Sequence, residues 1–199
     1  MTGAWAATVA SVQLIAVALA APIRGTIVDQ VVAVVDKEVI TDSELLVEAR
    51  VALVAREGEV GRAIAEGELD VDTLLRMRDY LVNQLLIANF IRRLGTVTVS
   101  EQEVDRAQQR FMKIFPSDDA YRAFKRKYDV PEPTIRSILR RELRNETYVK
   151  ERMRSWLTVG LSEAEREHRA QESLARWLAD LRRGAEVRLL GPQGELELQ

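Results

Sequence analysis

Residues 27–45, IVDQVVAVVDKEVITDSEL, combine a strand pattern with the start of a helix. Residues 27–35 are rich in valine and isoleucine, and a run of this length is too short for a typical core helix, so it predicts a buried strand. Residues 36–38 predict a polar turn. Thr41 and Glu44 then form the Thr-x-x-Glu pattern of a capping box, in which both side chains satisfy backbone groups at a helix start. The strand therefore has no predicted partner nearby in the sequence.

Most of the remaining chain has a helical pattern of apolar residues. The predicted helices cover residues 41–55, 70–95, 100–115, 117–128, 131–156 and 162–184. Ser100 and Ser162 begin further capping boxes, and Asp70 and Ser117 are suitable N-caps. The helix of residues 70–95 is apolar over a wide arc, which predicts the core helix, and Gly95 suits a left-handed cap at its end. Residues 56–69 contain three glycines and predict a loop or frayed helix.

The other strand-like segments lie near the carboxyl terminus. Residues 186–190 and 195–198 both alternate, and the turn sequence GPQG separates them, so they predict a hairpin. Residues 187–190 are the simplest partner for residues 31–35. The sequence thus predicts a mostly α, multi-helix domain over residues 22–199, with a small β-sheet that pairs N-terminal and C-terminal strands.

The composition limits the classes of function. Charged residues make up 30% and hydrophobic residues 47% of the 199 residues, which is typical of a folded chain. The net charge of −2 gives no bulk attraction to nucleic acid. The absence of cysteine excludes disulfides, thiolate metal sites and cysteine nucleophiles.

Residues 1–21, MTGAWAATVASVQLIAVALAA, carry no charged side chain. Their apolar run and the small residues Ala18 and Ala20 predict a secretory signal that is cleaved after Ala20 or Ala21. The alternative is an uncleaved N-terminal anchor, since the run is almost long enough to span a bilayer. In both cases we expect the folded part to lie outside the cytoplasm, and membrane contact would come only through a retained N-terminal segment.

No residue constellation in the sequence predicts catalysis. His168 has acidic neighbours at helical spacing, but a single histidine is a weak set of metal ligands, and we expect it on a solvated helix face. Asp70 and Asp72 could form a carboxylate pair for acid–base chemistry, although helix capping explains them more simply. We therefore predict no catalytic, metal or cofactor site.

Residues 113–157 are basic and contain interleaved aromatic residues. A nucleic-acid groove has this pattern, but acidic residues are interspersed here and export would remove most nucleic-acid partners. The alternatives are a solvated face, which we favour, and a surface that contacts polypeptides or a membrane.

Several of these segments together resemble the SurA-like family of periplasmic chaperones. VDQVVAVVDKEVITDSEL (28–45) resembles the family's first strand and capped helix, and residues 75–107 resemble its core helix and the helix start that follows. Residues 128–153 are similar to the family's long helix. Residues 175–190 are similar to its closing helix and strand, which pair back on the first strand.

The chain also departs from this family. Family members usually insert one or two parvulin-type prolyl isomerase domains between the long helix and the closing helix, whereas only residues 158–161 separate them here. Parvulin sites use paired histidines, and this chain has only His168. The resemblance therefore implies a chaperone core without isomerase activity, which would hold unfolded polypeptides such as outer-membrane protein precursors.

The resemblance implies a peptide-binding surface and a set of partners. The partners would be extended or unfolded polypeptides and the outer-membrane assembly machinery, without nucleic acid. The alternative is a non-catalytic scaffold subunit of the cell envelope with one fixed partner. Aromatic and methionine side chains can adapt to varied peptides. The peptide-binding candidates are Met77, Phe111, Met112, Tyr121, Phe124, Tyr128, Met153 and Trp156.

Overall fold

The fold was obtained as a computed structural model that describes residues 29–95, 97–156 and 162–190, except for the side chains of residues 155 and 156. The elements in these ranges are β1 (Val31–Val35), β2 (Glu38–Thr41), α1 (Asp42–Ala65), α2 (Val71–Leu94), α3 (Glu101–Lys113), α4 (Asp118–Lys127), α5 (Glu132–Trp156), α6 (Glu163–Arg183) and β3 (Val187–Leu189). The protein is mostly α, as predicted. The predicted signal or anchor (1–21), the first residues of the predicted strand (27 and 28) and the outer hairpin arm (195–198) lie outside the described residues.

The strands form an antiparallel sheet in the order β2-β1-β3. Val35 of β1 lies opposite Val187 of β3, and Ala33 lies opposite Leu189, so the predicted pairing of the N-terminal and C-terminal strands is confirmed. The expectation that β1 has no nearby partner is wrong, because Val35 also lies opposite Glu38 of β2. A tight turn at Asp36, which has a φ of 54°, joins the two strands. Glu38 at the start of β2 and Asp42 directly after it obscured the three consecutive β-branched residues between them.

One face of the sheet is buried against the helices. The side chains of Ala33 and Val35 are fully buried, and those of Ile40 and Leu189 nearly so. They belong to one apolar cluster with residues of α1 and α2. The alternation of side chains along each strand puts these residues on a single face, which fixes the register of the sheet on the helical body.

Helix α1 is longer than predicted and folds back on itself. Its start is capped as expected, because the Thr41 side chain accepts from the Glu44 N–H while the Glu44 carboxylate accepts from the Thr41 N–H. Residues 56–69 were expected to be a loop or frayed helix; α1 extends through residues 56–65 with a break, and the loop is limited to residues 66–70. The helix breaks at Gly58, which has φ 62° and ψ −132°, and then continues to Ala65. A left-handed φ at this break suits glycine, which has no Cβ to clash there.

Gly61 lies directly against the first part of the same helix. A Cβ at Gly61 would lie 2.0 Å from the Leu53 carbonyl oxygen, so only glycine allows this approach. Arg50 donates hydrogen bonds from Nη1 to the carbonyls of Ala65 and Gly67, the second at 3.1 Å. These bonds satisfy carbonyls at the end of α1 and hold it against the middle of the helix.

Helix α2 is the core helix, as predicted, and packs against α1, α5, α6 and β1. The Asp70 side chain accepts from the Thr73 N–H at its start, and Gly95 ends it with a φ of 65°. A second apolar cluster joins α2 to α6 through Ile87, Ile91 and Trp177. This contact positions α6 so that the chain returns to the sheet as β3.

Candidate functional site

A groove of about 670 Å³ lies between β2, α1, α2 and the connection from α4 to α5. We call it the β2 groove. Its apolar lining comes from all four elements and consists of Val39, Ile40, Leu46, Val47, Leu81, Leu85, Tyr128 and Pro131. The volume is typical of ligand-binding clefts, and the lining offers an apolar surface several side chains long.

The positions of the apolar residues along α1 and α2 explain how they come to line the β2 groove. Leu81 and Leu85 are four residues apart on α2 and therefore share a face of that helix. Leu46 and Val47 lie in the second turn of α1, and both are partly exposed.

Ser43 anchors the start of α1 because its N–H and hydroxyl both donate to the Asp29 carboxylate. These bonds lower the pKa of Asp29 to about 2.

Charged side chains surround the β2 groove. Arg141 donates to both carboxylate oxygens of Glu48, one at 2.9 Å, and the two side chains are 17% and 19% exposed. Burial opposes the charge of Arg141, but the hydrogen bonds to Glu48 raise its pKa overall. Arg50 lies over the Tyr128 ring, 3.9 Å from its centroid. Such a cation–π contact keeps one face of the tyrosine ring covered.

A second cavity of about 570 Å³ lies between α1, α2, α5 and α6. Its polar lining includes Glu142, whose Oε1 accepts from the Tyr80 hydroxyl at 3.0 Å. Burial raises the pKa of Glu142 to about 7, and this outweighs the opposing effects of Tyr80 and Arg141. Asn145, only 2% exposed, donates to the Gln84 carbonyl at 2.9 Å. This cavity is therefore more polar than the β2 groove.

Most of the predicted peptide-binding residues do not line the β2 groove. Phe111, Tyr121 and Phe124 are 2–3% exposed and pack with Phe115 in an aromatic cluster between α3 and α4, with ring centroids 5.1–6.2 Å apart. Met77 is also buried, at 8% exposure. A peptide would reach these four side chains only if the core opened. The physical reason is that amphipathic helices turn such residues towards each other.

The other four predicted peptide-binding residues do not lie together in one site. Tyr128 is partly exposed and is the candidate that lines the β2 groove. Met112 and Met153 are partly exposed on α3 and α5, away from the groove lining. The side chain of Trp156 lies outside the described residues. The peptide-binding role of the eight residues stays a prediction.

Sequence reasoning missed most of the groove lining. Leu46, Leu81 and Leu85 were recognised only as part of helical patterns, and Val39 lay in a strand that was not predicted. Their periodicity indicated an apolar face but gave no information about which part of that face another element would cover. The exposure of Val39, at 51%, depends on the tertiary fold.

The residues considered for metal binding or acid–base chemistry lie on a helix surface or at a helix start. His168 is exposed on α6, with Nδ1 3.9 Å from Glu172 Oε1. Asp70 caps α2, and Asp72 lies in the first turn of the same helix. Within the described ranges, no three or more His, Cys, Asp and Glu side chains are grouped so that they could hold a metal ion.

The basic residues of α5 bind acidic residues of neighbouring helices. Arg136 pairs with Glu101 at 3.0 Å and with Asp105 at 2.7 Å, and Arg140 pairs with Glu101 at 2.7 Å. Arg141 pairs with Glu48, as described above. These ion pairs connect α5 to α3 and α1. The Arg141–Glu48 pair is mostly buried, and the interpretation of residues 113–157 as a solvated face stays a prediction.

Comparisons with known proteins add no family assignment. No protein-family model matches the chain, and a search of curated proteins finds no match. Of the helices in the described part of the chain, none has the length and hydropathy needed to cross a bilayer. The geometry of the β2 groove is therefore the basis for a functional proposal.

Proposed function

We propose that this protein is an exported, periplasmic holdase chaperone of the SurA-like type. It binds unfolded polypeptides, outer-membrane protein precursors among them, and has no prolyl isomerase activity. The observation that carries the proposal is the β2 groove, where exposed and partly exposed apolar side chains lie among charged residues, together with the buried side chains of Ile40, Leu81 and Leu85. Exposed apolar surface of this kind marks interaction sites.

The chemistry of the groove suits reversible capture of varied segments. Its lining is aliphatic and aromatic, so binding would rest mainly on non-directional apolar burial, which tolerates different side chains. The flanking ion pair of Glu48 and Arg141 already satisfies its own charges, so an apolar occupant would leave no charge there unpaired. Extended segments rich in aromatic and aliphatic residues are the expected ligands.

The sequence resemblance gives the proposal a second support. A SurA-like core is expected to close its first strand against its last, and β1 and β3 pair in this way. The expected core helix and capped helix starts are also present. A mostly α fold with a small terminal sheet is consistent with the proposed family and is not specific to it.

Export is the part of the proposal that concerns residues 1–21. We expect the mature protein to begin near residue 22 and to fractionate with the cell envelope. Mass spectrometry of the amino terminus, performed on protein from separated cell fractions, tests this directly. An intact Met1 on cytoplasmic protein would contradict export.

Client breadth tests the chaperone activity. The full mature chain should suppress the aggregation of several unrelated unfolded proteins at near-stoichiometric ratios, and it should not accelerate their refolding. Suppression for one protein only, or for none, would contradict the holdase proposal.

The alternative function is a scaffold subunit with one fixed partner. The observation that favours it is exposed apolar side chains where α1 and α2 meet: Val60 and Ile64 are 67% and 40% exposed, and Val71 and Leu75 are 70% and 40% exposed. Each pair is four residues apart and shares a helix face. A single stoichiometric partner that is lost on Val60→Asp, together with unchanged aggregation of unfolded proteins, would support this alternative.

A further inference from the structure

β2 is an edge strand of the sheet that the described residues form. The backbone groups of β2 that are free to bind can be identified from the hydrogen bonds between β1 and β3, because these bonds show which residues of β1 face β2. Asp36 and Val32 both form backbone hydrogen bonds with the β3 side of the sheet, at 2.7 and 3.0 Å. Successive residues of a strand direct their backbone groups to opposite sides, so those of Ala33 and Val35 point towards β2.

The free edge of β2 is at Val39. Glu38 lies opposite Val35 and Ile40 lies opposite Ala33, so the backbone groups of Glu38 and Ile40 point towards β1. The N–H and C=O of Val39, between them, point away from β1. Val39 is 51% exposed, and within the described part of the chain no residue outside the sheet forms a hydrogen bond with its backbone.

The β2 groove extends along this edge. Glu38, Val39 and Ile40 all line the groove, although side chains of successive strand residues lie on opposite faces of a sheet. A groove on one face would not meet all three side chains, so it passes the backbone edge. The edge ends at Thr41, whose N–H is bound by the Glu44 carboxylate at 3.0 Å.

The charges of the groove favour a basic occupant. Its lining includes four carboxylates and two guanidinium groups. Glu48 and Arg141 neutralise each other, and Glu38 pairs with Arg92 at 2.9 Å. Arg50 donates to backbone carbonyls and keeps its positive charge, so the two remaining carboxylates still exceed it. Glu44 and Asp129 are exposed and have no cationic partner within the described ranges. A lysine or arginine side chain in the groove would be attracted to both carboxylates.

We infer that an extended segment of an unfolded polypeptide binds the β2 groove as an added strand. The segment exchanges two backbone hydrogen bonds with Val39, directs alternate apolar side chains into the groove, and places a lysine or arginine side chain near Glu44 and Asp129. This inference rests on the proposed holdase function. It also gives that function low sequence selectivity, because backbone groups common to all polypeptides supply part of the contact.

Backbone-modified peptides test this binding mode on the full chain. The probe is a fluorescein-labelled Lys-Thr-Val-Thr-Phe-Thr-Val-Thr-Lys peptide, measured by fluorescence anisotropy. Two further versions carry N-methyl groups, one on the threonine amides and one on the valine and phenylalanine amides. Since one edge of a strand uses the amides of alternate residues, only one version should lose affinity. We expect a loss of about tenfold or more for that version and less than about twofold for the other.

Two variants of Val39 provide the matched control. Val39→Pro removes the N–H that points away from β1 and leaves the bonds between β1 and β2 intact, as is tolerated on edge strands. Val39→Thr keeps the N–H and the β-branched shape. We expect Val39→Pro to bind the unmodified peptide about tenfold more weakly, and Val39→Thr to keep the difference between the two methylated versions. Circular dichroism and thermal melting show whether each variant is folded.

The outcomes separate this inference from the proposed function. If the native protein binds both methylated versions as tightly as the unmodified peptide, edge pairing is overturned while capture of polypeptides stands. If neither the peptide nor any unfolded protein binds, both are overturned. Exchange of the two lysines for glutamates should weaken binding at low salt, and unchanged affinity would remove the assigned role of Glu44 and Asp129.

Discussion

Asp36 and Glu186 bind each other through reciprocal hydrogen bonds, although they are 150 residues apart in the sequence. The Asp36 N–H donates to the Glu186 carbonyl at 2.7 Å, and the Glu186 N–H donates to Asp36 Oδ1 at 3.1 Å. Asp36 is the turn residue between β1 and β2, and Glu186 immediately precedes β3. One residue therefore sets both the hairpin turn and the start of the closing strand.

This closure makes the carboxyl-terminal segment essential for stability. Deletion of residues 185–199 removes β3, including the buried side chain of Leu189 and the partly buried one of Val187, and uncovers the buried Ala33 and Val35 of β1. Burial of such a side chain contributes roughly 1.5–3 kcal/mol, and a domain has only about 5–15 kcal/mol in total. We expect the truncated chain to lose its cooperative thermal transition or to melt far below the parent. Deletion of residues 195–199 alone should have a much smaller effect, and equal melting of the longer truncation and the parent would contradict the closure.

The fold-back of α1 depends on Gly61. Gly61→Ala places a Cβ 2.0 Å from the Leu53 carbonyl oxygen, so the two parts of α1 must move apart. We expect a loss of about 3 kcal/mol in the free energy of unfolding, measured from urea midpoints at constant slope. Gly67→Ala is the matched control, since its nearest atom would lie at 3.4 Å, and it should change stability by less than about 1 kcal/mol. Similar midpoints for the two variants would show that the approach at Gly61 is not essential.

Glu142 gives the stability a distinctive pH dependence. Burial raises its pKa from 4.5 to about 7, so between these values the folded state binds more protons than the unfolded state. Its contribution to stability is therefore complete below about pH 4.5, falls as the pH rises to 7, and is absent above that. We expect Glu142→Gln, which cannot ionise, to be more stable than the parent at pH 8 by about 3 kcal/mol, as one pKa unit corresponds to about 1.4 kcal/mol.

The measurement for Glu142 is the difference in unfolding free energy between variant and parent from pH 4 to pH 8. Glu146→Gln on the same helix is the control, because Glu146 is exposed and pairs with Lys150 at the surface. A curve for Glu142→Gln no steeper than that of this control would contradict the assigned role of the buried carboxyl group.

The β2 groove can be blocked by a single charge. Val47 is partly exposed and lines the groove, so Val47→Glu should fold normally and place a carboxylate within the apolar lining. Desolvation of that carboxylate by a bound segment is unfavourable, and we expect aggregation suppression to need about tenfold more protein. Val60→Glu, on an exposed valine outside the groove lining, should retain full activity. Equal loss in both variants would place the binding surface elsewhere.

The absence of isomerase activity is also a prediction. Only residues 157–162 separate α5 from α6, and the chain has a single histidine. We expect proline-limited refolding of a test protein to be no faster in the presence of this chain. A reproducible catalytic acceleration that His168→Ala abolishes would contradict the interpretation as an isomerase-free core.

The features that sequence predicted well are those set by local chemistry. The capping boxes at Thr41, Ser100 and Ser162 and the cap at Gly95 depend on residues within one helical turn, and all four are confirmed. The pairing of β1 with β3 could also be predicted, because few other segments had strand character. The fold-back at Gly58 could not, since it depends on a close approach between two parts of the same helix.

The candidate site was less predictable than the fold. Periodicity identified Phe111 and Phe124 as apolar positions of amphipathic helices, and they are buried because α3 and α4 pack their apolar faces together. The same periodicity applies to Leu81 and Leu85, which line the groove. Both sets are buried, at 2–8% exposure, and the groove is uncovered instead at Val39, Leu46, Val47 and Pro131. Which positions stay uncovered is a property of the tertiary fold.

The strand order β2-β1-β3 has a consequence for how the chain folds during synthesis. β1 and β2 can pair as soon as residue 41 has emerged, but the second side of β1 stays open until residues 187–190 arrive. Closing so long a loop is entropically unfavourable and slow, so the native sheet forms last. If the chain is exported as proposed, the late pairing of β3 keeps the sheet incomplete until the carboxyl-terminal segment has crossed the membrane.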